Sequence, residues 1–509
     1  MTIVDDYSTQ VVQLGDKGSV FLNKKCAPTL RNCGYIDIIN SEMGGLKVLR
    51  IPSDYYVVVH SAAGDPSKKD IKEHTASLVD RLVTQAKQIG ATPLAFANVI
   101  DASRGDLPLL EIIADSMVER ANYHNLAIMN GELALLGDIV TGEANVSGTM
   151  ISVVRKDASI GGVQLQGEVP FHDMIIEVNG IKYAVFDPEG KAVSINSDGI
   201  GTKTKFYEMT GDHHLGLWDS AAMKVDDSAK SGARVRVISD VVEITPGMKV
   251  PAILRRIADE AVTIGKATRS LYPLQIEEVG DRIRSYNGKA PGFNVSGSTV
   301  CTIDEERLKN PLKPSPGEYL IAIRGKPNPR SNGITSKRAI MEQLGKQWCE
   351  AESMSEWKDT SMGKLFLKYL AAPSVLLYPL FRELIEKEVA TSFYHPSGGA
   401  YAGKVARPLA KHGLFARIAN LFQPDWREST IVGYSFAPAE KAYGQWPMGT
   451  DGFITVRADD RDEALATIRQ HGLEGRVVGP LENATEGRTG VELVGIKASN
   501  GENVYFSGK

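Results

Sequence analysis

The feature that most constrains this chain is that its opening part reads twice in the same order. In the first pass, Leu78, Val79, Leu82, Val83 and Ala86 fill one face of a helix that closes at Gly90. An apolar strand Leu94–Ile100, a helix Leu109–Ala121 and a strand Leu126–Met129 follow. In the second pass, a helix Trp218–Ser231 stops at Gly232, a residue suited to the left-handed cap. It leads to a strand Val235–Ile238 and a helix Ala252–Ile264 striped by Leu254, Ile257, Ala258 and Ala261. Each pass then reaches an acidic residue, Glu132 or Glu277, and the same strand word, Asn145-Val146-Ser147-Gly148-Thr149 or Asn294-Val295-Ser296-Gly297-Ser298. The offsets between matching points (Gly90 to Gly232, Glu132 to Glu277, Asn145 to Asn294) are 142, 145 and 149 residues, a drift that loops of unequal length produce. Any one match is an ordinary turn or strand word; the shared order reads as duplication.

The passes differ where chemistry is expected. After the short strand Val193–Ser197 the second carries Asp198-Gly199-Ile200-Gly201-Thr202-Lys203: a carboxylate, two glycines, a hydroxyl and an amine in six residues. Glycines let backbone N–H groups approach phosphate oxygens, Lys203 offsets their charge, and Asp198 is a carboxylate of the kind Mg²⁺ prefers. The word is neither a P-loop nor a dinucleotide fingerprint, and alone it reads as readily as a plain turn. Downstream, Asp219 and Asp226 share a helical face, and Asp227 is turned about 100° from Asp226. The first pass has Ser61-Ala62-Ala63-Gly64-Asp65 opposite the Asp198 word and Gln85 opposite Asp227, so its metal-binding groups are mostly gone.

With 509 residues, 42% hydrophobic and 24% charged, the chain is long enough for about three domains. A net charge of −4 argues against a nucleic-acid partner. Four cysteines without metal-type spacing suggest a reduced, cytoplasmic protein. The greasiest run, Tyr369–Phe381, is short and broken by Pro373 and Pro379, so no membrane span is expected. Met1–Asp6 has neither a basic end nor an apolar core, so no signal peptide is expected.

After the proline-punctuated stretch Lys309–Pro316 the repeat ends and a third domain begins. It opens with a strand Tyr319–Ile323, then Arg330-Ser331-Asn332-Gly333 before a helix Thr335–Leu344. Further on, His395-Pro396-Ser397-Gly398-Gly399 leads into a helix-like stretch Tyr401–Lys411; it is either a phosphate-binding helix start or a tight turn with a satisfied histidine.

Taken in order, the Asp198–Lys203 word, Asp219–Asp227 with Gly232-Ala233, Ser331-Asn332-Gly333, Ala372-Pro373-Ser374, His395–Gly399 and Gly495–Ser499 resemble the aminoimidazole ribonucleotide (AIR) synthetase family and its superfamily of ATP-using enzymes. The resemblance implies an α+β fold. Two tandem AIR-synthetase N-terminal-like α+β domains, residues 1–165 and 166–316, would pair as a barrel within one chain, ahead of an AIR-synthetase C-terminal-like α/β domain over 317–509. It implies ATP and Mg²⁺ as cofactors and a small-molecule ribonucleotide as substrate. Asp198, Lys203 and Asn332 would be catalytic; Gly199, Gly201, Thr202, Lys203 and Asp219 would hold the nucleotide. Asp198, Asp227 and either Glu277 or Glu132 would bind metal, and His395, Ser397, Gly398 and Gly399 would take the substrate phosphate. Arg330 stands where many members have histidine, Trp446-Pro447-Met448-Gly449 where a Phe-Asn pair is common, and Gln275-Ile276-Glu277 where Gly-Gly-Glu-Thr is familiar. The expected activity is cyclo-ligation of formylglycinamidine ribonucleotide to AIR. The alternatives are a superfamily member acting on another acceptor, or a non-catalytic nucleotide-binding regulator. A homo-oligomer is possible, with a within-chain pseudo-dimer preferred and one competent ATP site per chain.

Overall fold

The structure, a computed structural model, describes residues 17–39, 46–165, 173–284, 292–351 and 354–508. The signal-peptide reading at Met1–Asp6, the rest of the opening sixteen residues, and the 165/166 junction's second side lie outside them. The chain forms two compact units. Among the described residues, one comprises 17–228 and 233–310 and the other 229–232 and 311–508.

The first unit is built on strands β1 (Ile36–Ile39), β2 (Leu46–Leu49), β3 (Tyr55–Ala63), β4 (Thr92–Ala102), β5 (Ala127–Leu135), β6 (Ala144–Arg155), a two-residue pair β7 (Ser159–Ile160) and β8 (Val163–Gln164), then β9 (Met174–Val178), β10 (Ile181–Phe186), β11 (Ala192–Gly199), β12 (Arg234–Ile244), β13 (Gln275–Glu278) and β14 (Phe293–Ile303). They assemble into two six-stranded sheets, β5-β4-β6-β3-β10-β9 and β13-β12-β14-β11-β2-β1. Strand for strand the orders are the same, with a parallel pair at one end (β4 with β5, β12 with β13) and antiparallel pairing elsewhere. Each sheet also borrows: β1 and β2 from the start of the chain complete the later sheet, and β9 and β10 complete the earlier one. Both sheets are open, and among the described residues no hydrogen-bonded ladder closes them into the expected barrel.

Strand alternation decides which residues meet. Val57 and Val59 of β3 point to one face, Tyr56 and Val58 to the other. The first set joins Ala95, Ala97, Ile151 and Phe186 from its own sheet and Leu49, Val193, Ile195, Val237 and Val300 from the other in one core. The two sheets therefore pack face to face, each fully buried Val, Ile or Phe contributing about 1.5–3 kcal/mol. Helices α1 (Ile71–Gln88) and α2 (Leu107–His124) cover the outer side of the earlier sheet through Leu78, Leu82, Leu110 and Ile113 against Phe96, Val146 and Met150. Each starts where an aspartate caps it: Asp70 accepts the Glu73 N–H and Asp106 that of Leu109. Helices α3 (Thr204–Thr210), α4 (Gly216–Ala229) and α5 (Pro251–Thr268) belong to the later half; Gly90 and Gly232 both take the positive φ their helix ends need.

The second unit carries a seven-stranded sheet of β15 (Tyr319–Arg324), β16 (Ala390–Tyr394), β17 (Leu414–Ile418), β18 (Gly452–Val456), β19 (Glu474–Asn483), β20 (Gly490–Lys497) and β21 (Asn503–Phe506), in the order β16-β18-β15-β19-β17-β20-β21. Its helices include α6 (Ile334–Cys349) and α7 (Trp426–Ser435). All four cysteines are free thiols. Among the described residues no helix is long and apolar enough to cross a membrane.

Candidate functional site

β11 delivers Asp198 at its end, opposite Gly297 of β14, with Gly199 opposite Ser296. The half-buried Asp198 carboxylate accepts the Gly199 N–H at 2.7 Å, which turns the chain away from the strand. Gly201 follows at φ +61°, a left-handed conformation that a side chain resists. A 3₁₀ turn, Gly201–Lys203, then runs into α3. The register also shows what the first half lacks: on β3 the position of Asp198 is held by Ala62, opposite Gly148, and that of Gly199 by Ala63.

Lys203 and Asp219 are brought together, but as a correction to their expected roles. Both are fully buried, Lys203 Nζ lies 2.8 Å from Asp219 Oδ2, and Tyr207 donates its hydroxyl to the same carboxylate. A charge out of water needs a partner, so this amine is engaged inside the fold and is not presented to a phosphate. Burial and the Asp219 charge hold the Tyr207 phenol protonated, its pKa well above the usual value. On α4, Asp219 and Asp226 are fully buried and Asp227 is half-buried, matching the expected rotation between them. Lys224 forms a second buried pair with Asp240 of β12, which also accepts from Tyr272.

The earlier half builds one wall. β5 runs beside β11, and Asn130 Nδ2 approaches Asn196 Oδ1 at 3.3 Å, so Glu132 lies two residues beyond that contact on the strand next to Asp198's. Lys205, just past the glycine turn, pairs at 2.8 Å with Asp138 of the earlier half. Glu277 goes elsewhere. It stands on β13 against the Ala63 end of β3, where Arg81 of α1 binds it at 2.9 Å and also donates to the Ala63 carbonyl. The ladders explain the misplacement: Val99 faces Glu132 where Val241 faces Gln275, whereas Glu277 faces Glu243. The register partner of Glu132 is Gln275, two residues from the sequence-level pairing with Glu277.

Among the described residues no three His, Cys, Asp or Glu groups gather as a metal cage, so Asp198, Asp227, Glu277 and Glu132 do not form the expected set. The donor chemistry at the Asp198 turn still suits Mg²⁺, which takes one or two carboxylates and completes its shell with phosphate and water. Asp198 has a second carboxylate within electrostatic reach, Asp101 of β4.

Sequence reasoning missed the centre of the contact between the halves. Asn145 Nδ2 donates to Glu243 at 2.7 Å; reciprocally, Asn294 Nδ2 donates to Asp101 at 2.8 Å and to Glu243 at 2.7 Å. Ser147 and Ser296, the same letter of the shared strand word, meet hydroxyl to hydroxyl at 2.6 Å. The contacts of these matched residues are thus reciprocal between the two halves. Asp101 and Glu243 are fully buried, so burial first, and for Asp101 the neighbouring Glu243 next, push both carboxyls up, Glu243 to about 7. The available signal was the recurring asparagine of the two strand words.

In the second unit, antiparallel pairing of β18 with β15 and β16 brings three segments to one sheet edge: Asp451 before β18, the 325–333 loop after β15 and the 395–399 turn after β16. Asn332 Nδ2 donates to the Ser397 carbonyl at 2.9 Å. Arg330, fully buried at φ +49°, reaches His395 Nδ1 at 3.3 Å and Asp451 at 3.6 Å. His395 and Ser397 are thus interior supports of the turn, not open phosphate ligands; Gly398 is exposed and Gly399 half-buried at φ +83°. The following helix opens as a π-turn, Ala402–Ala406, a form frequent at functional sites.

Residues 46–154 and 180–270 match the family model for AIR synthase related protein, N-terminal domain. The family resemblance is therefore shown. The phosphoribosylformylglycinamidine cyclo-ligase of Methanococcus maripaludis is 22% identical over 309 residues, 60% of this chain and 82% of that protein. The enzyme of the same name from Synechocystis is 27% identical over 290 residues, 56% of this chain and 80% of that one. Among solved structures, thiamine-monophosphate kinase from Stenotrophomonas maltophilia covers 63% of this chain and 91% of its own at 11% identity, with a TM-score of 0.40, too distant to carry an argument. The AIR synthase-like α+β fold rests on the family match.

Proposed function

We propose that this protein is an ATP- and Mg²⁺-dependent cyclo-ligase that converts formylglycinamidine ribonucleotide to aminoimidazole ribonucleotide. The observation that carries the reading is the Asp198 turn: a carboxylate at a strand end, a glycine at positive φ, and a wall from the other half beside it. Curated relatives of that name, matched over most of their length, support it. When bound, Mg·ATP supplies the phosphoryl group that makes the amide oxygen a leaving group. The chain's share is positioning: Asp198 would hold the cation, whose remaining positions phosphate and water would fill, and the N–H groups of Gly199, Gly201 and Thr202 would meet the phosphates. Lys203 and Asp219 would act through the fold, as the buried pair that fixes the turn to α4.

The finer architecture belongs to the same proposal: a duplicated N-terminal-like domain pairing in a barrel-like way inside one chain, and a C-terminal-like domain over 317–509, in a cytoplasmic enzyme. A second reading has its own observation. Arg330, where many family members have histidine, is locked between His395 and Asp451, which favours a different acceptor or a nucleotide-binding regulator. Incubation with ATP, Mg²⁺ and formylglycinamidine ribonucleotide should yield ADP and AIR in equal amounts. ADP formed only with another acceptor supports a relative of different specificity; tight ATP binding without product supports the regulator.

A further inference from the structure

The end of β13 carries a charge that the proposed reaction does not use. Arg282 lies in the 279–284 segment, which runs along 139–144 of the earlier half: the Thr141 N–H donates to the Arg282 carbonyl and the Arg284 N–H to the Ile139 carbonyl. The Arg282 side chain is only 8% exposed. Its Nη1 donates to the Ala144 carbonyl at 3.3 Å, whereas Nε and Nη2 are buried and have no hydrogen-bond partner among the described residues. These two N–H groups form the side-on fork of a guanidinium, the face that matches two oxygens of a carboxylate or phosphate. A buried cation whose fork is unmatched is costly, much more so than a neutral group.

The surroundings show where a ligand would sit. His74 of α1 is fully buried, lies close enough to feel the Arg282 charge, and is kept neutral by burial first and by that charge second, its pKa pushed down to about 4. Its Nδ1 hydrogen-bonds the Asp65 carbonyl at 2.9 Å. Gly64 passes so close to this ring that a Cβ would lie 2.6 Å from it. The chain thus bends round His74 at the Ala63-Gly64-Asp65 turn, the register counterpart of the Gly199 turn. Asp65 also faces Arg282 electrostatically, but its carboxylate accepts the Ser67 N–H at 2.9 Å. Lys69 and Asp281 bridge the two loops outside, both well exposed.

We infer that Arg282, with the 64–65 turn and His74 as walls, is a binding site for a small free oxyanion, joining the two halves beside the turn that has lost its own carboxylate. The fork is buried, so the ligand it would take is small, of the size of inorganic phosphate or acetate. The site is distinct from the Asp198 turn and stands whether or not the cyclo-ligase reading does.

Thermal unfolding of the full chain, at constant ionic strength set with chloride, tests it with inorganic phosphate and acetate as probes. One of the two should raise the midpoint saturably, and which one does so identifies the oxyanion. Arg282→Met, which keeps the stem and removes the fork, should weaken that binding at least tenfold; Asp65→Asn, which removes the competing charge, should tighten it; Asp198→Ala should leave it unchanged. An equal saturable shift in Arg282→Met, or no saturable shift with either probe in the unaltered protein, overturns the site. Should Arg282→Met not fold, the Nε–H resonance of Arg282 in ¹⁵N-arginine-labelled protein decides: displacement on adding the probe supports the site, and an unmoved resonance overturns it.

Discussion

Asp198 is the residue on which turnover should depend most. Asp198→Ala removes the strand-end carboxylate and the acceptor of the Gly199 N–H, and should abolish ADP release while far-ultraviolet circular dichroism stays unchanged. The buried carboxyls answer to a different measurement. Asn294 donates to both Asp101 and Glu243, so Asn294→Ala leaves both short of a donor and should cost about 1–3 kcal/mol in urea unfolding. Glu243 also sets a pH dependence. Its carboxyl is pushed up in the folded state to about 7 from an ordinary 4.5, so between those values the native chain holds a proton that the unfolded chain has lost. Stability should therefore fall as pH rises from about 4.5 to about 7, by up to about 1.4 kcal/mol per unit, and level off above. Urea midpoints across that range should show the slope in the unaltered protein and a flatter one in Glu243→Gln.

At the scale of elements, most of what periodicity could mark is present. The expected strand Leu94–Ile100 lies inside β4, the helix Leu109–Ala121 inside α2, Trp218–Ser231 largely coincides with α4, and Ala252–Ile264 lies inside α5. These segments declare themselves because one face is apolar at a fixed spacing and Gly90 and Gly232 stop two of the helices. The exchange of β1–β2 and β9–β10 was not legible, because alternation says that a strand has a buried face and not which sheet supplies its neighbour. The exchange has a mechanical consequence. Each sheet needs strands from the other half, so neither can open alone, and amides of β3 and β11 should show the same free energy of exchange with deuterium. Separate, unequal values for the two sheets would contradict that coupling.

For the whole molecule, the two halves of the first unit meet reciprocally, at Asn145–Glu243 and Asn294–Asp101. Only one half keeps an aspartate at the strand end, so calorimetric titration should give one Mg·ATP per chain, and removal of divalent cations by chelation should abolish both binding heat and turnover; two equivalent sites would refute the asymmetry. Order, spacing and residue type are local properties, and they were enough to mark helices and strands, a glycine turn carrying Asp198 and a family resemblance. What each charge does depends on distances between segments far apart in the chain. Folding alone placed Lys203 against Asp219, set His395 behind Arg330, sent Glu277 to Arg81 at the other turn and left the Arg282 fork unmatched, because pairing and burial are decided by neighbours that one-dimensional order does not name.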